Sequence, residues 1–155
     1  MLLNRSGLAL LLALTAACAP TAAPPPYQPR TRAVTVTTVP LLVRESQRVF
    51  PFLKGSFAPG GVLAGKEVYA FVPSTITVVA GDTVAFSFVN PEDDLHNFVL
   101  GTGELNVALP GERITRVTYV AAQSGIMPFA CTIPGHAPMM AGELVVLAPG
   151  ALGRR

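Results

Sequence analysis

Charge is scarce in this 155-residue chain: Asp, Glu, Lys and Arg make up 13% of it, against 50% hydrophobic residues. That balance excludes a chain disordered throughout and leaves enough apolar side chains for one packed core with appendages. Cysteine occurs only at Cys18 and Cys131, so at most one disulfide can form and a disulfide-stapled scaffold is excluded. Histidine occurs only at His96 and His136. Long apolar runs are missing too. The N-terminal run Leu8–Leu14 falls well short of the roughly 20 residues that a spanning helix needs. No basic face interleaved with aromatics is present, which argues against nucleic acid as a partner.

The first seventeen residues carry one positive charge at Arg5, the short apolar run, and small residues at Thr15-Ala16-Ala17. Residues 1–17 therefore read as a secretory signal peptide. Leu14-Thr15-Ala16-Ala17-Cys18 resembles a bacterial lipobox, in which the cysteine becomes the lipidated first residue; Thr15 departs from the usual leucine. The other reading is ordinary cleavage beside Ala17 or Ala19, with Cys18 incidental. The lipobox implies an exported protein, periplasmic or at the cell surface, anchored to the membrane through Cys18. Cys131 is then a free thiol in an oxidising compartment, at risk of oxidation unless buried or bound to metal.

Residues 18–60 are expected to stand outside the globular body. Pro20, Pro24, Pro25, Pro26 and Pro29 favour extended, polyproline-like chain over Ala19–Pro40, a linker. Leu41–Gly60 reads as an N-terminal extension, since Pro51 and Pro59 oppose a long regular element. The few charges are unevenly placed. Ala19–Pro59 holds five basic residues (Arg30, Arg32, Arg44, Arg48, Lys54) and one acid, a net +4, whereas Gly60–Ala148 holds three basic residues and eight acids, a net −5. A basic tether suits anionic lipid, though plain solvation also accounts for it.

From Glu67 onward the pattern is that of strands. Val68–Val72 and Thr75–Val79 are short β-branched or aromatic runs, and Ala80-Gly81-Asp82 is a turn signal. Thr83–Val89 follows, with Val84, Phe86 and Phe88 on one face. Asn90–Asp94 is a polar loop, Phe98-Val99-Leu100 begins a short strand, and Ile114–Val120 alternates with Val117 and Tyr119 inward. Phe129 leads into Cys131, and Glu143–Leu147 closes the body. Seven or eight short strands without a convincing helix indicate an all-β antiparallel sandwich over residues 61–148, followed by a tail at 149–155.

The chemistry concentrates in Cys131–Gly142, CTIPGHAPMMAG. A thiolate, an imidazole and two thioethers on one loop suit copper better than other common metals. His96, after the polar loop, can meet this loop at one end of a sandwich and supply a second imidazole. Each residue has a plainer reading: His96 as a surface residue, Met139 and Met140 as core filling, Cys131 as a small buried hydrophobe. Together they form a pattern that those readings do not explain.

Over Val68–Leu147 the chain resembles a cupredoxin of the azurin and plastocyanin type. The spacing C-x₄-H-x₃-M, with Thr132, Pro134, Gly135 and Gly142, fits the ligand loop, and His96-Asn97 fits the upstream ligand and its neighbour. The resemblance implies a Greek-key β-sandwich and one type 1 copper ion cycling between Cu(I) and Cu(II). It implies His96, Cys131, His136 and Met140 as ligands, with Asn97 and Thr132 beside the thiolate. It further implies a monomeric one-electron carrier, not an enzyme, meeting a redox protein such as a c-type cytochrome or terminal oxidase. With both histidines used, no second copper centre for oxygen or nitrite chemistry can be built. A copper delivery or storage protein with the same site is the alternative.

Overall fold

The computed structural model describes residues 25–136 and 139–150. The expected signal peptide, Cys18 and the end of the tail lie outside them. Nine strands follow in chain order: β1 (Thr31–Leu42), β2 (Val68–Val72), β3 (Thr75–Val79), β4 (Thr83–Asn90), β5 (His96–Leu100), β6 (Leu105–Leu109), β7 (Arg113–Val120), β8 (Gly125–Ala130) and β9 (Ala141–Leu147). They form two sheets, ordered β2-β1-β4-β7 and β3-β9-β8-β5-β6.

The alternation in β4 explains why the sheets face one another. Val84, Phe86 and Phe88 are buried, and the residues between them are only partly so. From the other sheet, Phe98 sits fully buried among the rings of Phe71, Phe86, Phe88 and Phe129, with centroid separations of 4.7–5.6 Å. Packed aromatic rings at these distances supply most of the apolar area that holds such a sandwich closed. Val117 and Tyr119 pack against this core as expected.

The structure differs from the sequence reading at the N-terminal side. Residues 31–40, expected as linker, lie in β1, a central strand paired antiparallel to β2 and parallel to β4. Thr31–Pro40 does alternate, with Val36 and Thr38 buried, but the prolines before it and Arg32 within it obscure the pattern. Pro40 is tolerated because the register slips between Pro40 and Leu42. Arg32 is therefore not a tether charge, since its guanidinium is paired with Asp82. The Arg30 N–H and the Arg32 Nε both donate to the buried carboxylate of Asp82, each at 2.8 Å. The strands are also not all antiparallel, since β1–β4 and β3–β9 run parallel.

The segment expected to be irregular carries three short turns of helix: α1 (Ser46–Val49), a 3₁₀ turn (Pro51–Leu53) opened by its proline, and α2 (Lys54–Phe57). No residue of the three is buried. Among the described residues no helix is long and apolar enough to cross a membrane.

Candidate metal centre

Three of the four candidate ligands, His96, Cys131 and Met140, lie on, or directly beside, an inward row of a strand, and His136 sits on the loop between β8 and β9. His96 opens β5, whose buried positions are His96, Phe98 and Leu100. Cys131 follows β8 two residues after buried Phe129, and Met140 precedes β9, whose inward residues include Leu144 and Val146. Strand periodicity thus points all three into one end of the core. The Cys131 N–H donates to the Met140 carbonyl at 2.9 Å, which closes the neck of the loop. Within that loop Gly135 turns the chain at a φ of 92°, and the His136 N–H donates to the Ile133 carbonyl at 3.2 Å. At Gly142 a side chain has no room: a Cβ would lie 2.1 Å from the Ser74 carbonyl oxygen and 2.5 Å from the Phe129 ring.

One ligand atom from each of His96, Cys131 and His136 falls within 4.8 Å of the others, and all three residues are buried. The Nδ1 atoms of His96 and His136 face each other at 3.1 Å, and Cys131 Sγ lies 3.8 Å from His136 Nδ1. Burial, with His136 adding to it, lowers the His96 pKa to about 4, so its imidazole is neutral at physiological pH and has a lone pair to offer. Met140 is fully buried and belongs to the same core cluster as Cys131, whereas Met139 is 63% exposed.

Asn97 and Thr132 join the two ligand-bearing segments reciprocally. Asn97 Nδ2 donates to Thr132 Oγ1 at 2.8 Å, and the Thr132 N–H donates to Asn97 Oδ1 at 2.7 Å. The polar loop before β5 is equally ordered: Asn90 Nδ2 donates to the carbonyls of Asp94 at 2.7 Å and Leu109 at 3.0 Å.

Sequence reasoning missed Tyr69, which lines the site from β2. Val68–Val72 reads as a short strand in the sequence, but nothing in it tells that Tyr69, buried in the structure, reaches the histidines. Its phenol is hydrogen-bonded to Asp94 and, at 3.1 Å, to Glu67. Burial and these carboxylates hold its pKa well above the ordinary value, so it stays protonated.

Two converging imidazole nitrogens, a buried thiol and a neighbouring buried thioether are a donor set with the softness copper favours. A two-sheet β-sandwich that gathers this set at one end defines the cupredoxin class. No protein-family model matches the chain. It is 32% identical to auracyanin-A of Chloroflexus aurantiacus over 52% of this chain and 68% of that protein. The chain belongs to the auracyanin family of blue copper cupredoxins. The solved structure of auracyanin A, a blue copper protein from the same organism, is 22% identical, with 75% of this chain and 98% of that chain covered and a TM-score of 0.48. The copper nitrite reductase of Nitrosomonas europaea superposes with a TM-score of 0.55 at 18% identity, over 78% of this chain and 43% of that one, a likeness of fold.

Proposed function

We propose that this protein is a one-electron carrier on the extracytoplasmic face of a bacterial membrane, with a single copper held by His96, Cys131, His136 and Met140. The observation that carries the reading is the convergence of His96, Cys131 and His136, contributed by two segments distant in sequence, in a buried cluster at one end of the sandwich. Copper bound there would supply reversible one-electron chemistry. Thiolate and thioether favour Cu(I), and imidazole also suits Cu(II).

The chain's own residues do the rest. Burial of Cys131 shields the thiol from oxidants. The Asn97–Thr132 pair fixes the segment that follows Cys131 against β5, so that the thiol and His96 keep their separation. Loss of that pair is expected to loosen the site without opening it.

The partner we propose is a redox protein, such as a c-type cytochrome or terminal oxidase. His136 is 8% exposed and borders a small cleft lined by Arg44, Lys66, Pro134 and Gly135. Pro134 and Met139 are exposed beside half-buried Ile133, an apolar rim suited to brief contact over a small interface. Ala137 and Pro138, expected in the same rim, lie outside the described residues. Of the acidic loop, Asp93 is exposed and Glu92 partly so, while Asp94 is engaged with Tyr69. Steering by this loop therefore rests on Glu92 and Asp93. Residues 1–17 act as the signal peptide in this reading, and lipid on Cys18 holds the mature protein at the membrane.

The decisive experiment is a spectrum of the copper-loaded protein. A cysteine-to-copper charge-transfer band in the visible and a narrow copper hyperfine splitting in paramagnetic resonance are expected. Cys131→Ser removes both, because an alcohol is a hard, poor donor to copper. An unchanged band in that variant rules out the ligand set.

A further inference from the structure

The reading above gives no task to the start of β2, yet that segment touches both histidine-bearing segments. Tyr69, 1% exposed, comes from the sheet opposite His96. Its ring centroid lies 4.6 Å from that of His96, edge-on at 70°, and 4.7 Å from that of His136, tilted at 50°. Its hydroxyl is bonded to Asp94, two residues before His96. The Glu67 N–H donates to the carbonyl of Gly135, the residue before His136, at 3.2 Å. Glu67 Oε2 is the second carboxylate oxygen at the Tyr69 hydroxyl.

A histidine that binds metal usually has its second ring nitrogen hydrogen-bonded to a carboxylate, carbonyl or water, and that bond sets the ring plane. His96 departs from this. Its Nε2 is the one buried side-chain nitrogen or oxygen among the described residues with no partner. The imidazole χ2 torsion is broad and roughly two-fold, so the backbone alone does not fix the ring. Packing must do it. The largest rigid group in that position is Tyr69, a ring with two torsions whose far end is tied down by two carboxylates.

We propose that Tyr69 is the positioning residue of the metal site, fixing the angle between the His96 and His136 imidazoles in place of the missing hydrogen bond at His96 Nε2. Asp94 and Glu67 fix Tyr69 in turn. The inference rests on the reading of these histidines as copper ligands. It explains why a tyrosine stands where Phe71 continues the same inward row: a phenylalanine would fill the space but have no hydroxyl to anchor.

The test compares wild type with Tyr69→Leu, Tyr69→Phe and Asp94→Asn in three measurements. These are the copper hyperfine splitting, the rate of copper release to a chelator, and the imidazole line widths in nuclear magnetic resonance of the metal-free protein. Tyr69→Leu is expected to widen the splitting, raise release by about 10–100-fold and broaden the His96 ring signals. Tyr69→Phe, which keeps the ring and loses its anchor, raises release severalfold and also broadens those signals. Asp94→Asn retains an acceptor for the phenol and stays near wild type. A folded Tyr69→Leu variant with a lowered melting temperature but wild-type splitting, release and line widths would make Tyr69 a core side chain only and overturn the proposal. If Tyr69→Leu does not fold, wild-type values for Tyr69→Phe overturn it equally. A wild-type protein without the visible band refutes the copper reading itself. The line widths of the metal-free protein then still decide whether Tyr69 orders the two rings.

Discussion

Asp82, at the turn before β4, carries more of the N-terminal side of the fold than any other polar residue described. Its side chain is fully buried and accepts four donors: Tyr27 Oη and the Arg30 N–H on Oδ1, Arg32 Nε and the Val79 N–H on Oδ2. Asp82→Asn cannot satisfy them. One terminal atom becomes an NH₂ group, and whichever way the amide is turned it faces two donors. Two charge-assisted bonds are lost, each worth about 1.5–3 kcal/mol, and relief from burying a charge offsets part of the loss. A net destabilisation of about 3 kcal/mol is expected, which lowers Tm by about 10 °C for a domain of this size. The pH dependence has a definite sign. Burial raises the Asp82 pKa, but the bonds from Tyr27, Arg30, Arg32 and Val79 outweigh it and hold the carboxyl well below the usual carboxylate range. A group with a depressed folded pKa stabilises fully above its unfolded value, about 4, and loses that contribution as pH falls toward the folded value. The difference in stability between wild type and Asp82→Asn must therefore be largest at pH 5–7 and shrink towards pH 2–3. Thermal and urea unfolding of the metal-free protein across this range measures it. A Tm within 2 °C of wild type at pH 7, or a gap that widens in acid, would refute the account.

Three other outcomes are expected. Met140→Gln replaces a buried thioether by a harder oxygen donor; a ten- to hundredfold loss of preference for Cu(I) lowers the potential by about 60–120 mV, whereas Met139→Gln, on the exposed side, leaves potential and spectrum near wild type. If voltammetry gives Met139 the larger effect, the register of the loop is wrong. Glu92→Gln with Asp93→Asn should slow electron exchange with a basic cytochrome by about three- to tenfold at low salt and flatten its ionic-strength dependence; parallel curves would leave the loop without a role in docking. In cell fractionation the wild-type protein should sediment with membranes and Cys18→Ser should not, and a soluble wild type would end the anchor proposal.

The parts of the fold legible in the sequence were those governed by period-two alternation within one strand. Val84, Phe86 and Phe88 show their inward face without help from any other segment, and so does the row that leads through Phe129 to Cys131. The ligand loop was legible for a different reason, since its donors are close in sequence and their chemistry is rare in this chain. What alternation does not encode is which strands become neighbours. β1 was lost because its partner β4 lies parallel to it and some fifty residues away, and because five prolines precede it. β6 is too nearly exposed to stand out. Tyr69 was missed for the same cause. Its strand was read correctly, but its meeting with His96 and His136 depends on how the two sheets are placed over each other. Asp82 looked like part of an ordinary turn because three of its four donors come from distant chain.

The parallel pairing of β1 with β4 also fixes a polarity. The chain enters the sandwich beside Asp82, where Thr31 is paired with Thr83, and β4 then runs its whole length before the loop that delivers His96. Eight residues of strand at roughly 3.3 Å each place about 25 Å between the point of entry and the metal pole. If lipid on Cys18 anchors the protein as proposed, the tether would join the body at the end away from the metal site, as a buoy is held by its keel. Mooring and electron exchange would then occupy opposite poles without competing for surface.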